Sequence, residues 1–318
     1  MQPKLKRVTL ENVLSNRNYF RQAPALVNGN YSLSGAESSL FYALLTEIDM
    51  NDKDFKDYTF TKKQLEQKLG ISTNTTQLRA TAKSLMRKVF EIVHDKDDWE
   101  LMGFSYFSYK EGVFTCRFDK AMKPYLLELK QYALADIRQI LQIKSEYSKR
   151  IYLMLKDRRK HGERKLNIEE LYAQLEVPKS YHRYADFKRK VLLQSVKDIN
   201  KYTDLEIKNI GTIKKPKYFE EHKPSRKVEA VTFYFKKNQN DLKAFIEIIR
   251  EVYANQALYE SKNGRMLKCS DKGLLYYADS ALEWLDKDAA LKEWEWLHEH
   301  REKLYCFQTN LLDMMESS

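Results

Sequence analysis

Residues 180–190 read SYHRYADFKRK, and the amphipathic run that they open ends at Ile199-Asn200, just before Thr203-Asp204. At about 100° per residue, Phe187, Val191, Leu192, Val196 and Ile199 share one half of a helical wheel. Lys190, Lys197 and Lys201 cluster on the other side, Arg189 sits at the border, and Lys188 falls in the apolar half. The pattern predicts a helix over about 186–201 with one core face and one cationic face. A cationic helix face suits the major groove of DNA, because Arg pairs with guanine O6 and N7 in a bidentate fashion and Lys bonds phosphate or guanine. Recognition helices commonly touch bases near their start. That favours Arg183, Arg189 and Lys190 as base readers, ahead of Lys188. A lysine-rich solvated face is the competing reading of these residues alone.

The flanking sequence places this helix in an order of elements. Ser145 to Arg159 reads as a helix with Tyr147, Ile151, Met154 and Leu155 on its core face, and Asn167 opens a short second helix. After the cationic helix, Leu205–Lys214 and Val228–Phe235 read as strands joined by a loop that carries Lys214, Lys215, Lys217, Lys223, Arg226 and Lys227. Pro216 and Pro224 keep that loop from extending the sheet. Three helices and a strand hairpin make a winged helix, and a basic wing beside a basic helix can clamp phosphates.

The same order occurs earlier in the chain. Ser34, with Glu37 three residues on, has the spacing of a capping box ahead of Leu40, Phe41, Leu44, Leu45 and Ile48. A short helix follows Thr61, and a third runs over about 73–88, with Leu78, Ala82, Leu85 and Val89 as its buried face. Arg79, Lys83 and Arg87 form a stripe at every fourth residue that is either a second DNA surface or a solvated face. Strand-like stretches follow at 90–94, 99–109 and 113–118, with the acidic Asp95, Asp97 and Asp98 read as the tip of a weakly gripping wing. Phe60, Thr61, Leu65, Leu69 and Ile71 match Leu166, Asn167, Leu171, Leu175 and Val177 at one constant offset, which argues for two related domains.

Charge is concentrated. Residues 144–237 hold 25 Lys+Arg against 13 Asp+Glu, a net of +12, whereas residues 1–143 carry +4 and residues 238–318 carry −5. A basic block inside a folded domain is the footprint of polyanion binding. Cys116, Cys269 and Cys306 are far apart and form no CxxC pair, so they read as core thiols in a reducing compartment and not as a metal or disulfide framework. No apolar run approaches the ~18 residues of a membrane span, and no secretory core opens the chain; a cytoplasmic protein is expected. No P-loop string occurs. His298-Glu299-His300 has the wrong middle residue for a His-hydrophobe-His metal site. No catalytic residue, metal or cofactor is therefore expected.

The chain is similar to the initiator replication proteins of iteron-containing bacterial plasmids. The resemblance rests on Ser145-x-Tyr147-Ser148-x-Arg150-x-Tyr152, then Ser180-Tyr181-x-Arg183, Asp186-Phe187-Lys188-Arg189-Lys190 and Ile199-Asn200-x-x-Thr203, and closes with Arg226-Lys227 before the strand Val231–Phe235. It covers about residues 10–237, by pattern only in the first domain. It implies two tandem winged-helix domains and binding of short direct repeats at a replication origin; without a P-loop string of its own, the protein would need a separate host helicase as partner. It also implies monomers on the direct repeats, and dimers formed through the first domain that repress the protein's own gene at an inverted repeat. Lys149 and Arg150, within the matching motif, join the candidate DNA contacts.

The expected architecture is α+β and helix-rich, with a lead-in over 1–33, a first winged helix over 34–130, a second over 131–237 and an acidic module of two or three helices over 238–318. A linker helix near Asp136 to Arg159 would set the spacing of the two domains. Trp284, Trp294, Trp296, Tyr276 and Tyr277 in the last module build a small core or dock a protein partner. The rival functions are a transcriptional repressor with the same DNA surface and no replication role, and a nucleic-acid-processing enzyme, for which no site stands out.

Overall fold

Ser34 begins the first long helix, Gly35–Leu45, through a reciprocal cap: its hydroxyl accepts from the Glu37 amide at 3.4 Å, and the Glu37 carboxylate accepts from the Ser34 amide at 2.6 Å. The computed structural model describes residues 5–6, 19–49, 52–159, 161–237, 257–269, 275–277, 285–299 and 304–307. They fall into two compact units, residues 17–238 and residues 1–16 with 239–318.

In the first unit, Thr61 ends the strand Tyr58–Thr61 and caps the helix Lys62–Leu69, with Gln64 completing the box at 2.8 Å. Gly70, at φ +65°, stops that helix in the left-handed conformation glycine tolerates best. Asn74 caps the third helix, Thr75–Leu85. Strands Phe104–Lys110 and Val113–Phe118 then form a hairpin, and the sheet order is 58–61, 113–118, 104–110. Glu111 and Gly112 both have positive φ, 50° and 81°, as a tight two-residue hairpin turn requires. This hairpin is the wing of the first domain. The acidic residues Asp95, Asp97 and Asp98 lie elsewhere, around the turn of a separate hairpin, Phe90–Asp95 with Asp98–Met102, which corrects the expectation that they tip the wing. Val89 is also corrected: the third helix ends at Leu85, and Val89, beyond it, is 51% exposed.

The lead-in is more structured than expected. Tyr19–Gln22 pairs antiparallel with Ala133–Asp136, Phe20 stacks on Tyr42 at 4.9 Å, and Leu26, Val27 and Tyr31 are buried. The linker is less so: Ile137–Ile140 is one short turn capped by Asp136, and Glu146–Asp157 is a new helix capped by Ser145, so no single helix spans 136–159.

The second domain repeats the topology. Glu163–Asn167 ends in the N-cap of the helix Ile168–Gln174, and the sheet order 163–167, 230–237, 219–222 is that of the first domain. Leu65 and Leu171, equivalent by the constant offset, are both fully buried, and so contribute about 1.5–3 kcal/mol each. The cationic helix runs Tyr184–Phe187, passes through a π-helical turn at Lys188–Leu192 and continues as Leu193–Tyr202. Where one basic loop was expected, Leu205–Ile207 and Phe219–His222 are strands, and two loops remain, 208–218 and 223–229. The β-branched and aromatic residues needed for the extra strand are few, so the lysines around Phe219 masked it.

The two winged helices share one core. The second unit differs from the expected helices: among the described residues it contains an antiparallel five-stranded sheet in the order 5–6, 304–307, 257–260, 266–269, 275–277, and the helix Lys287–Glu299. Its strands are short runs rich in Leu, Tyr, Phe and Cys, whose periodicity alone does not separate a strand from a buried helix segment. A turn at Ser261–Arg265, with Gly264 at φ +73°, lies where Asn263-Gly264 predicts one.

Candidate nucleic-acid interface

The exposed cations of the second domain follow its third helix and wing. Arg183 precedes the first turn and is exposed. Arg189 is 71% exposed at its side chain and is held by Asp186 at 3.0 Å, an i,i+3 pair that orients the guanidinium without burying it. Lys190 lies with its ammonium 4.0 Å from the centre of the Tyr181 ring, and Lys201 lies 4.9 Å from that of Tyr202. Lys197 is exposed between them, while Phe187, Val191, Leu192, Val196 and Ile199 are buried. The helix therefore divides core from cation as its sequence predicts. The π turn adds a residue per turn over 188–192, a local change that no side-chain pattern signals.

Lys188, which the wheel puts in the apolar half, is only half-exposed. It leans across to the wing strand, where Glu221 accepts from its ammonium at 2.8 Å and from the Tyr184 hydroxyl at 2.7 Å. Lys223 approaches the second oxygen of the same carboxylate at 3.3 Å. Burial by itself would raise the Glu221 pKa. The hydrogen bonds from Lys188 and Tyr184 and the charge of Lys188 outweigh it and hold the carboxyl at about 2. Burial and then the bond to Glu221 push the Tyr184 phenol upwards.

The remaining cations of the wing region lie in two loops. Arg226 and Lys227, with Lys223, occupy the turn 223–229 between the paired strands, which is the wing proper. Lys214, Lys215 and Lys217 belong to 208–218, a separate excursion braced by Asn209, whose side-chain oxygen accepts from the amides of Gly211 and Lys217 at 2.9 Å each. Only glycine fits at position 211, because a Cβ there would stand 2.4 Å from the Lys215 carbonyl oxygen. At its tip Ile213 is 98% exposed beside those lysines.

Two predicted contacts are not on this surface. Lys149 and Arg150 are 3% and 6% exposed. Lys149 donates to Glu146 at 2.8 Å and to Ser38 at 2.9 Å. Arg150 donates to the carbonyls of Val27, Gly29 and Tyr31 and stacks 3.6 Å from the Tyr31 ring centre. Both side chains are consumed in fastening the helix Glu146–Asp157 to residues 27–38, and Arg164 on the following strand reaches Asn28 at 2.6 Å. Their positive charge looks the same in sequence as that of Arg189; only burial separates them.

In the first domain Arg79, Lys83 and Arg87 are all exposed. Arg79 and Lys83 line an open groove of about 680 Å³ between the third helix and the wing strand, with Met86, Phe107 and Tyr109 in its wall. Among the described residues no group of three or more His, Cys, Asp or Glu is placed to hold a metal, and no helix is long and apolar enough to cross a membrane. His298 and Glu299 close the helix Lys287–Glu299, and His300 lies outside the described residues. Cys116 is buried, which pushes its thiol pKa well up and makes it a core residue. Trp294 is buried and Trp296 half-buried, so neither presents the exposed ring a docking role would need; Trp284 lies outside the described residues.

Two family models match this chain: "Initiator Replication protein, WH1" over residues 19–156 and "Initiator Rep protein, WH2" over residues 167–235. The first takes in the helix Glu146–Asp157, which the order of elements in the sequence assigns to the second domain. A "Replication initiation protein" of Escherichia coli is 25% identical over 201 residues, which are 58% of this chain and 63% of that protein's length. A crystal structure of domains 2 and 3 of RctB superposes on 64% of this chain and 80% of its own, at 10% identity and a TM-score of 0.36.

Proposed function

Since this chain belongs to the initiator replication protein family, with both of its winged-helix domains present, we propose that it binds direct repeats at a plasmid replication origin as double-stranded DNA and promotes the loading of a host helicase there. The observation that supports this most is the row of exposed cations Arg183, Arg189, Lys190, Lys197 and Lys201 along the third helix of the second domain, flanked by Arg226 and Lys227 of the wing. Arg183, Arg189 and Lys190 read bases, while Arg226 and Lys227 of the wing, the loop cations Lys214, Lys215 and Lys217, and Arg79, Lys83 and Arg87 of the first domain neutralise phosphate. Phosphate neutralisation supplies most of the affinity. Several copies on adjacent repeats bend and strain a neighbouring A·T-rich stretch. The protein acts in the cytoplasm by binding and not by catalysis, and dimers formed through its first domain repress its own gene at an inverted repeat.

Footprinting on the DNA next to the gene tests the reading. Protection of tandem repeats of about two helical turns each beside an A·T-rich stretch is the expected result. Protection confined to one inverted repeat would replace it with a repressor that has no replication role.

A further inference from the structure

We propose that Glu221 is a specificity-determining residue: from the wing strand it holds Lys188 and Lys223 away from phosphate and ties the first turn of the third helix to the wing. The inference rests on the proposed DNA face of the second domain. Tyr184 and Lys188 stand four residues apart on one side of the helix, and both bond to the same oxygen of Glu221, at 2.7 and 2.8 Å. Lys223, the first residue after the strand Phe219–His222, pairs with the other oxygen at 3.3 Å. Lys188 also lies 5.6 Å from the Phe219 ring centre, so the contact continues through the strand. The Glu221 side chain is 17% exposed, which favours these bonds over hydration.

Two consequences follow from charge and geometry. A carboxylate at a DNA-facing junction lowers affinity for every phosphate backbone, because it neutralises two cations that would otherwise add to the sequence-independent term. The same bonds fix the helix start, where Arg183 and Arg189 stand, against the wing, so that base contacts and phosphate contacts are made in one register. Glu221 thus trades non-specific affinity for discrimination. Lys188 belongs to the DNA-reading helix by sequence but serves as a strut.

The test is Glu221→Gln in the full chain, a change that keeps the shape of the side chain and an acceptor for Tyr184. Binding is measured on a random-sequence duplex and on the DNA the protein protects at its own origin, each over a salt series. The expected result is a steeper salt slope on random duplex, by about 0.9 for each released cation that reaches phosphate. Each such cation makes the fall in affinity over a fourfold rise in salt roughly three- to fourfold larger. The ratio of specific to random affinity falls. In the parent chain Lys188→Ala leaves the salt slope unchanged. A slope that drops by about 0.9 in Lys188→Ala would show Lys188 on phosphate and overturn the proposal. So would an unchanged slope and an unchanged ratio in a folded Glu221→Gln protein. Arg189→Ala serves as the control: if it weakens specific binding while Glu221→Gln changes nothing, only the role of Glu221 fails. If neither changes anything, the DNA face itself is misplaced and both fail.

Discussion

The two winged helices have the same strand order and an equivalent N-cap on their short second helices, yet they present different surfaces between third helix and wing. In the second domain that junction is closed by Tyr184, Lys188 and Glu221 and surrounded by exposed cations. In the first domain the corresponding space is an open groove, with Arg79 and Lys83 on one side and Phe107 and Tyr109 on the other. The shared parts are those that backbone and core require: an N-cap after the first strand, a buried leucine four residues on, a hairpin returning along the sheet. The differing parts lie at the margin of the core, where Phe107 and Tyr184 only pack against its edge, so each domain has more freedom to vary them. What this teaches is that a repeat of fold is not a repeat of site.

The equivalence of the cores can be broken most directly at the paired leucines. Leu65→Ala and Leu171→Ala should each destabilise the protein by about 2–5 kcal/mol, read from urea unfolding. A destabilisation confined to one of them would show that the offset aligns sequence without aligning structure. Next in size is the seat of the helix Glu146–Asp157 on residues 27–31. Arg150→Ala leaves three buried carbonyls without their donor and should cost about 2–4 kcal/mol, whereas Arg189→Ala should leave stability within about 0.5 kcal/mol, as exposed positions do. Equal effects on stability would contradict the separation of buried from exposed cations.

The difference between the two surfaces can be sharpened on DNA. Arg189→Ala should reduce discrimination between origin and random duplex by roughly 1–3 kcal/mol. Arg79→Ala together with Lys83→Ala should weaken both DNAs alike and lower the salt slope by about 0.9 for each phosphate that is no longer neutralised. Selective weakening on origin DNA by the first-domain pair would make that domain a base reader as well. A smaller contrast lies at the ends of the short helices: Ile71 is 59% exposed and Val177 is 6% exposed, so Ile71→Ser should change stability by less than about 0.5 kcal/mol, and Val177→Ser by about 1–3 kcal/mol.

The smallest expected effect concerns pH. The Glu221 carboxyl is held at about 2, below the usual carboxylate range. A depressed pKa stabilises the folded state above the ordinary value, and this contribution is lost as pH falls through about 2. Specificity that depends on the strut should therefore be constant from pH 8 down to the ordinary carboxylate range, about 4. An NMR titration of the Glu221 carboxyl with a midpoint above that range would remove the strut from the account.

Most of the fold was legible in short-range chemistry. Ser34 with Glu37, Thr61, and Asn167 ahead of its amphipathic run announce helix starts, because unsatisfied amides at a helix end demand an acceptor. The third helix of the second domain was legible too, since its apolar and cationic residues separate by face. The lead-in residues around Phe20 and the strand Phe219–His222 were not, because their pairing partners, Ala135 and Phe233, are distant in sequence. The sheet of the second unit was missed because short aromatic runs suit either element until a neighbouring strand satisfies their backbone.

By itself, then, the sequence determined the caps, the amphipathic faces, the repeated order of elements and the net positive charge of residues 144–237, all of which depend on neighbours a few positions apart. Tertiary structure decided which cations are available. Lys149, Arg150 and Arg189 carry the same charge, but the first two are enclosed between their helix and residues 27–38 and the third stands in solvent. Tertiary structure also put Glu221 under Lys188 across 33 residues of chain. Local spacing marks the apolar face of a helix, but which cations are enclosed and which carboxylate they meet are properties of the packed chain.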